Sequence, residues 1–398
     1  MRCHIILIGT ELLNGMMIDT NSSYMAEKLN ECGIEIIGKS IVGDDIEEIV
    51  LALEYARKNS DFIIVSGGLG PTIDDITRDA IAKYLDKELI LDEKEYMKIK
   101  GKFKKANLNF PERNIRQAML PEGAKIVENK AGAAPAFLID DIAVFPGVPE
   151  EVYETFPKFL DTYLGEKGYD EKFYIKDLLV WGLAESELEN RILDVVNQKR
   201  EFNIEFLVKE YGIIIRFIGN KRYENIINEL KEKIYDRVGE YIFGEDDDRI
   251  EKLLFDKLKE KEYNISTAES CTGGLLASKI ISLSGISKYY REGLVTYSNE
   301  SKIERLGVKK ETIEKYGAVS KETVSEMLEG LKTDTGIAIS GIAGPTGGTE
   351  KKPVGTVIIG IKINKIKKVE TYLFRGNREK VRKKAVLTAL NFLRKKLK

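Results

Sequence analysis

The chain has 398 residues, of which 43% are hydrophobic and 32% are charged, so its length predicts two to three domains that can each bury a core. Its 63 basic residues nearly cancel its 65 acidic residues, and the net charge of -2 excludes a global electrostatic field for nucleic acid. The first apolar run is too short to span a membrane, and it predicts a buried strand instead of a signal peptide. The three cysteines are scattered along the chain, which favours a reducing cytoplasm and excludes a cysteine-based zinc site.

The only histidine of the chain, His4, lies in the predicted first strand. Unless His4 reaches the C-terminal half, that half contains no histidine for a Ser-His-Asp triad, a Cys-His pair or a multi-histidine metal site. Catalysis there must then use serine, lysine, tyrosine, arginine or a carboxylate.

Residues 1–165 alternate apolar runs with amphipathic segments. Ile46, Ile49, Val50, Leu53 and Ala56 recur at helical spacing, which predicts a helix after the first two strands. The alternation predicts a mostly parallel sheet with helices on both faces, and hence a three-layer α/β domain. The predicted strands are His4–Ile8, Ile34–Ile41, Phe62–Val65, Phe137–Ile139 and Ala143–Phe145, and the last predicted helix is Glu150–Leu164.

A glycine-rich segment follows the third predicted strand, and its glycines permit close approach of the backbone to an anion. Asp74 and Asp75 come next, where carboxylates favour the start of a helix; the alternative is that one of them, with Asp19, holds a divalent cation through oxygen ligands. A short polar segment after the first strand lies on the same side of the sheet. The candidate substrate-binding residues of these two segments are Gly9, Thr10, Glu11, Gly67, Gly68, Gly70, Pro71 and Thr72.

Residues 166–244 predict a smaller βαββα unit. It is similar to KH-type nucleic-acid modules, but those need a GxxG loop between two helices, and Gly165 and Gly168 precede the first strand instead. We therefore interpret the unit as a connecting or dimer-forming module. Its predicted elements are strand Phe173–Trp181, helix Glu185–Val196, strands Ile204–Lys209 and Ile213–Ile218 and helix Tyr223–Val238, followed by an acidic linker or helix start at 244–248.

The last domain, residues 245–398, again mixes strands with helices and ends on a long basic helix. A small polar turn, Glu269-Ser270-Cys271-Thr272-Gly273-Gly274, connects its first strand to a helix. Backbone amides in such a turn hold a phosphate or an oxyanion, or else the glycines only permit tight packing; the turn alone leaves both open. The predicted strands are Ile265–Ala268, Gly293–Tyr297, Gly336–Ser340, Gly355–Ile363 and Val369–Phe374.

Lys302 follows the second of these strands, beside Tyr297. Ser301 and Glu304 fit a capping box, which would place Lys302 in the first helical turn, where the helix dipole lowers the pKa of a lysine. Such a lysine suits a general base, and the alternative is a solvated surface lysine. A further glycine-rich loop follows the third strand, and the last helix begins near Arg375, Arg378 and Arg382, a phosphate-binding cluster or a solvated basic face.

These segments resemble the C-terminal domain of the CinA family (competence/damage-inducible protein A), whose stand-alone members are nicotinamide mononucleotide (NMN) amidohydrolases. The resemblance covers essentially the whole domain and implies a cofactor-free conversion of NMN and water to nicotinate mononucleotide and ammonia. It implies Ser270 as nucleophile, activated by Tyr297 and Lys302; Cys271 is the rival nucleophile. The matching runs are Thr267–Gly274, Val295–Asn299, Gly317–Ser320, Ser340–Pro345 and Lys352–Thr356, and the implied substrate contacts are Thr272, Gly273, Thr296, Ser298, Gly341, Gly344 and Arg382.

The N-terminal glycine-rich run, together with Phe145–Glu151, resembles the molybdopterin-binding fold of MoaB/MogA-type proteins and, more closely, the N-terminal domain of full-length CinA. The resemblance implies an ADP-ribose pyrophosphatase that uses Mg, Mn or Co and yields AMP and ribose 5-phosphate. One position departs from the family: Ala136 stands where a glycine is usual, and its methyl group would narrow the crevice or restrict the backbone.

The family resemblance thus implies a molybdopterin-binding-like domain, a KH-like module and an amidohydrolase domain, and it implies that both reactions act on breakdown products of NAD. NMN and ADP-ribose are the expected ligands of a cytoplasmic homodimer, without membrane or nucleic-acid partners. Two alternatives stay open: the N-terminal domain is a non-catalytic nucleotide- or pterin-binding module, or the chain is a competence or DNA-associated adaptor.

Overall fold

The computed structural model describes residues 1–168, 173–197 and 201–397. The chain forms two compact units, Met1–Ile175 with Ile218–Glu224, and Lys176–Phe217 with Asn225–Lys398. In the part of the chain that the structure describes, no helix is long and apolar enough to cross a membrane.

The first unit contains an α/β domain built on a six-stranded sheet. Its strands are β1 Arg2–Ile8, β2 Glu35–Val42, β3 Phe62–Ser66, β4 Leu89–Leu91, β5 Met119–Pro121, β6 Lys125–Val127, β7 Ala136–Ile139 and β8 Ile142–Phe145. Its helices are α1 Thr10–Leu13, α2 Asn21–Glu31, α3 Ile46–Asn59, α4 Thr77–Leu85, α5 Glu93–Lys105 and α6 Pro149–Glu166, with a 3-10 helix at Glu112–Ala118.

The sheet has the order β2-β1-β3-β8-β7-β6. Strands β2, β1, β3 and β8 are parallel. Strand β7 pairs antiparallel with β8, and β6 pairs antiparallel with β7, so the predicted mostly parallel sheet ends in antiparallel pairings at one edge. Successive residues of β1 face opposite sides of the sheet. Ile5 packs with Met25 and Phe156 of α2 and α6, while Ile6 packs with Ile49 of α3, which confirms helices on both faces.

The KH-like module has one strand more than the sequence predicted. Its elements are β9 Phe173–Val180, α7 Glu185–Val196, β10 Asn203–Lys209, β11 Gly212–Asn220, a 3-10 helix at Lys221–Tyr223, α8 Glu224–Val238 and β12 Ile242–Glu245. The sheet order is β10-β11-β9-β12, and β12 pairs antiparallel with β9. Gly244 and Glu245 were predicted to begin a linker or a helix and instead complete this sheet; α9 begins only at Ile250.

The C-terminal domain contains a five-stranded sheet of order β14-β13-β15-β16-β17. The first three strands are parallel, β16 pairs antiparallel with β15, and β17 pairs antiparallel with β16. The strands are β13 Ile265–Glu269, β14 Tyr290–Val295, β15 Thr335–Gly341, β16 Thr356–Ile363 and β17 Ile366–Leu373. The helices are α9 Ile250–Lys261, α10 Leu275–Ile281, α11 Asn299–Leu306, α12 Lys310–Tyr316, α13 Lys321–Gly330 and α14 Arg378–Lys396, with a 3-10 helix at Ile286–Lys288.

Helices cover both faces of this sheet as well. Leu254, Leu276 and Leu390 of α9, α10 and α14 belong to the apolar core on one face. Leu306 and Val324 of α11 and α13 belong to the core on the other. The carboxyl ends of the parallel strands are therefore fixed between two packed layers, which positions the loops that follow them.

Candidate active site

Three loops of the C-terminal domain meet at the carboxyl edge of its parallel strands. Glu269, the last residue of β13, pairs with Val295 of β14 and with Ile339 of β15. The chain runs from β13 to β14 on one side and then crosses to β15 on the other, so the strand order reverses between β13 and β15. Ligands of open α/β sheets bind at such reversals. Ser270, the first residue beyond β13, lies there, and its amide donates to the carbonyl oxygen of Ile339 at 2.9 Å.

A buried carboxylate holds the turn that contains Ser270. Glu269 is 1% exposed, and its side chain accepts hydrogen bonds from the amides of Gly274 (3.0 Å), Leu276 (3.0 Å) and Ala277 (2.8 Å). These amides open α10, where helical donors lack partners and a negative charge is favoured. Glu269 is a functional residue that was not predicted from the sequence. The available signal was a carboxylate at the end of a buried strand, which must find partners there.

Lys302 lies against the Ser270 hydroxyl. Its ammonium nitrogen is 3.2 Å from Ser270 Oγ and also contacts the carbonyl oxygens of Thr296 (2.9 Å) and Tyr297 (3.1 Å). Lys302 is 1% exposed and Ser270 is 8% exposed. Within the described ranges, no ion pair includes Lys302. Burial lowers the pKa of the Lys302 amine, which favours the neutral form that can accept a proton.

The cause of this lowered pKa differs from the predicted one. Helix α11 begins at Asn299, and its N-cap is Ser298, whose hydroxyl accepts a hydrogen bond from the Ser301 amide at 3.1 Å. The prediction that Ser301 caps the helix was therefore wrong by three residues. Lys302 is the fourth helical residue, and its burial, rather than the helix dipole, is the main cause of the shift. The alternative of a solvated lysine is also wrong.

The residue next to Ser270 is a poor nucleophile at neutral pH. Cys271 is buried, and burial raises the pKa of its thiol to about 11. Because the thiolate is the reactive form, this environment suits packing better than catalysis.

Two arginines of α14 hold the surrounding loops. Arg382 donates to the carbonyl oxygen of Thr272 at 2.7 Å, and Arg378 donates to the carbonyl oxygen of Gly344 at 2.7 Å. A second Arg378 nitrogen lies 3.3 Å from the hydroxyl of Tyr297, whose side chain is 63% exposed. The Tyr297 hydroxyl thus contacts Arg378, whereas its backbone carbonyl contacts Lys302. Its activation of Ser270 stays a prediction.

Several polar atoms near Ser270 are buried without a partner. Over the described residues these include the hydroxyls of Thr272 and Thr296 and the Nε atom of Arg382. Buried polar atoms are nearly always paired, so such atoms indicate a ligand or an ordered water. Substrate contacts at Thr272, Thr296 and Arg382 stay a prediction.

The glycines of the loop after β15 are required by packing. Gly344 has φ +85°, and a side chain there would lie 2.5 Å from a methyl group of Val354. A side chain at Gly341 would lie 2.8 Å from Val357. Gly273, in the Ser270 turn, also has a positive φ of +59°. Substrate contacts at Gly273, Gly341 and Gly344, and at the N-cap Ser298, stay predictions.

The N-terminal domain has a crevice of about 790 Å³ at the same kind of strand reversal, between β1 and β3. Asn21 joins its walls, because the Asn21 amide donates to the carbonyl oxygen of Gly147 (2.8 Å) and to the hydroxyl of Ser66 (3.2 Å). Pro71 is absent from its described lining. The predicted residues that line it are Gly9, Thr10, Glu11, Gly67, Gly68, Gly70, Thr72, Asp19, Asp74 and Asp75.

The carboxylates of this crevice do not fit a metal cage made by protein alone. Asp75 accepts hydrogen bonds from the amides of Gly70 (2.7 Å) and Thr72 (2.8 Å), so it stabilises the glycine-rich loop. Asp19 accepts from the amide and hydroxyl of Ser22. Over residues 1–168, 173–197 and 201–397, no group of three histidine, cysteine or acidic side chains could hold an ion.

Ala136 and His4, two further residues of this domain singled out in the sequence, are both buried. Ala136 is the first residue of β7, pairs with Val127 and is fully buried in the core, so it is not part of the crevice lining that the structure describes. The expected narrowing of the crevice by its methyl group is therefore not seen. His4 is buried in β1, with its ring 2.9 Å from the Ser40 hydroxyl and packed edge-on against Tyr55. The contacts of the His4 ring are therefore packing contacts within the first unit.

Comparisons with known proteins agree with this architecture. Residues 247–397 match the model for the CinA C-terminal domain, residues 4–166 the probable molybdopterin binding domain, and residues 176–244 the damage-inducible protein CinA KH domain. A CinA-like protein of Fusobacterium nucleatum is 50% identical over 392 residues, which are 98% of this chain and 97% of the relative.

The chain belongs to the CinA family. Another CinA-like protein, from Kosmotoga olearia, is 40% identical over 409 residues, covering 100% of this chain and 99% of the relative. A crystal structure of a competence or damage-inducible protein from Enterobacter asburiae is 38% identical, covers 37% of this chain and 96% of its own, and gives a TM-score of 0.37. CinA membership confirms the predicted fold class: a molybdopterin-binding-like domain, a KH-like module and the CinA C-terminal domain.

Proposed function

We propose that the C-terminal domain hydrolyses the carboxamide of NMN to nicotinate mononucleotide and ammonia, with Ser270 as nucleophile. The main support is the contact of 3.2 Å between Lys302 Nζ and Ser270 Oγ, in a buried setting where no carboxylate pairs with the lysine among the described residues. Burial lowers the pKa of Lys302, which favours the neutral amine that a general base requires.

In the first step, Lys302 accepts the hydroxyl proton of Ser270, and Oγ forms a bond to the carboxamide carbon. Negative charge develops on the former carbonyl oxygen. The amides of Cys271 and Thr272 are suited to stabilise it, because they follow Ser270 in the turn held by Glu269. Within the described residues, neither amide donates to a backbone carbonyl.

In the second step, the carbon–nitrogen bond breaks while the Lys302 ammonium gives its proton to the leaving nitrogen. Ammonia departs, and nicotinate mononucleotide remains as an ester on Ser270. Water then attacks the ester carbon with Lys302 as base, and Ser270 recovers its proton as the acid leaves. Each proton that Lys302 accepts is therefore returned within one turnover.

The phosphate of NMN is expected near the start of α14. Arg378 and Arg382 each use guanidinium nitrogens on backbone carbonyl oxygens. A guanidinium has five N–H donors, so each retains donors for a phosphate. Two fixed cations beside the Ser270 turn favour an anionic substrate over free nicotinamide.

The test is ammonia release from NMN by the full chain, by Ser270→Ala and by Cys271→Ala. We expect loss of activity in Ser270→Ala and retention in Cys271→Ala. A folded native chain that releases no ammonia would refute the proposal and leave the domain as a nucleotide-binding or regulatory unit. Loss in Cys271→Ala alone would make the thiol the nucleophile.

We also propose that the N-terminal crevice binds ADP-ribose and cleaves its pyrophosphate. The support is the crevice volume of about 790 Å³ and a glycine-rich lining at the carboxyl ends of parallel strands. A divalent cation would bind there only together with ligand phosphates, which is usual for Mg²⁺. AMP release from ADP-ribose with Mg, Mn or Co tests this activity; binding without turnover would support the non-catalytic alternative.

A homodimer and a cytoplasmic, NAD-related role complete the proposal. Light scattering of the purified chain measures the oligomeric state. The alternative of a DNA-associated adaptor predicts salt-dependent DNA binding at physiological ionic strength, whereas the proposed function predicts none.

A further inference from the structure

The second unit contains a cavity of about 890 Å³ between the KH-like module and the C-terminal domain. One wall is formed by the loop from β9 to α7 and by the ends of β10 and β11. The other wall is formed by β17, by Phe374 and Arg375 that follow it, and by residues of α14 from Lys384 to Lys396. This volume lies within the range of small-molecule sites, about 300–1,000 Å³.

Aromatic rings provide flat surfaces in this cavity. Tyr372 and Phe374 are two residues apart on and just after β17, and their rings are parallel, with centroids 5.7 Å apart and an angle of 2° between planes. Trp181 lies on the opposite wall, where its indole N–H donates to the Thr388 hydroxyl at 3.3 Å. Parallel aromatic surfaces favour stacking of a planar heterocycle.

The charged lining has more cations than carboxylates, and two of the cations donate to backbone carbonyl oxygens, Lys384 to Arg375 at 3.1 Å and Lys395 to Glu240. Of its carboxylates, Glu210 pairs with Lys383 at 2.8 Å, and Glu370 accepts the Tyr372 hydroxyl at 2.7 Å. No ion pair among the described residues involves a cation of the lining. The cations are Lys209, Arg375, Lys384, Lys395 and Lys396, and the carboxylates are Glu185, Glu210 and Glu370.

We propose that this cavity is a second ligand site, separate from both proposed active sites, and that it takes a purine mononucleotide. The base would stack on the rings of Tyr372, Phe374 or Trp181, and the phosphate would bind Arg375 and Lys384. A concave site of this size fits one nucleotide better than a polynucleotide, which needs an open groove along its backbone. The KH-like module also lacks a GxxG loop between its helices.

Trp181 makes the test direct, because it is the only tryptophan of the chain. AMP is titrated into the full chain while the indole fluorescence is recorded, and equilibrium dialysis measures AMP binding independently. We expect a saturable change in fluorescence. The double variant Arg375→Gln with Lys384→Gln should raise the Kd for AMP at least about tenfold, because two charge-assisted contacts are lost.

Lys368→Gln is the matched control, since Lys368 is exposed on the same strand, β17, and does not line the cavity. It should leave the Kd unchanged. AMP binding that is absent from both measurements or that the double variant leaves unchanged, an equal effect in the control, or quenching by single-stranded DNA but not by AMP would each overturn the proposal. NMN deamidation is measured separately, so its failure and the failure of this site are distinguishable.

Discussion

The carboxylate of Glu269 lies 2.8 Å from the amide nitrogen of Ala277, eight residues further along the chain. With the amides of Gly274 and Leu276, this contact closes the turn that contains Ser270. A single buried side chain thus orients both the proposed nucleophile and the amides beside it. The sequence of this turn is neither a Walker loop nor a GxGxxG motif. Its helix start is stabilised instead by the carboxylate of Glu269, the last residue of β13.

Replacing Glu269 with glutamine should destabilise the second unit and reduce turnover. Glutamine has one acceptor oxygen, so at least one buried amide loses its partner, at about 1–3 kcal/mol of unfolding free energy. Denaturant unfolding measures the loss, and ammonia release measures kcat and KM. Glu292→Gln is the control, since Glu292 is exposed on β14. Equal stability of the two variants would show that the Glu269 contacts contribute little.

The pH dependence should report the amine of Lys302. Burial places its folded-state pKa below the ordinary value of 10.5, and the neutral form is the proposed base. kcat/KM should therefore rise with pH through that pKa and fall about tenfold per unit below it. Between the folded and unfolded pKa values the unfolded chain binds more protons, so the contribution of Lys302 to stability also rises with pH.

Lys302→Arg should abolish this base, because a guanidinium stays protonated at accessible pH. We expect kcat to fall by about 10²–10⁴-fold, which is the usual contribution of general base catalysis. Lys310→Arg, in an exposed ion pair of α12, is the matched control. Activity that survives in Lys302→Arg with an unchanged pH profile would assign the base to another group.

Cys271 should resist alkylation. Its pKa of about 11 leaves very little thiolate at pH 8, and its side chain is buried. Iodoacetamide should therefore react with Cys271 far more slowly than with a free thiol, and NMN turnover should persist during the treatment. Mass spectrometry of the peptide containing Cys271 measures the extent of labelling. Rapid labelling with parallel loss of activity would contradict this prediction.

Tyr297→Phe distinguishes two roles for the hydroxyl. In this structure it contacts Arg378 at 3.3 Å, so its removal should raise KM for NMN by about threefold to tenfold, the effect of one modest hydrogen bond, with little change in kcat. Steady-state kinetics separates the two constants. A large fall in kcat would instead place Tyr297 in the proton relay, as the family resemblance implies.

Asp75 should stabilise the N-terminal domain without metal. Asp75→Asn removes an acceptor for the amide of Gly70 or Thr72 and should lower the unfolding free energy by about 1–2 kcal/mol, equally with Mg²⁺ or a chelator. Asp74→Asn is the adjacent control, because Asp74 is exposed. A loss that appears only with Mg²⁺ would make Asp75 a metal ligand.

The sequence by itself determined the fold class, most of the strands and the motifs at the strand ends, whereas the short strands β4, β5, β6 and β12 were not predicted. Buried strands are contiguous in sequence, so the runs before Ser270 and Gly67 were recognisable as strands. The single histidine directed attention to serine and lysine in the C-terminal half. Local composition was misleading where a strand pairs with a segment far away in sequence. Gly244 and Glu245 have the composition of a linker, but they form a strand that pairs with β9.

Only the tertiary structure decided the environments of the site residues. The burial of Lys302, the three partners of Glu269 and the contact of Tyr297 with Arg378 depend on segments up to 81 positions apart. The capping pattern at Ser301 was satisfied equally well by Ser298 three residues earlier, and only backbone geometry distinguished them. A pKa is set by burial and neighbouring charges, which are properties of the folded chain and have no local signal in sequence.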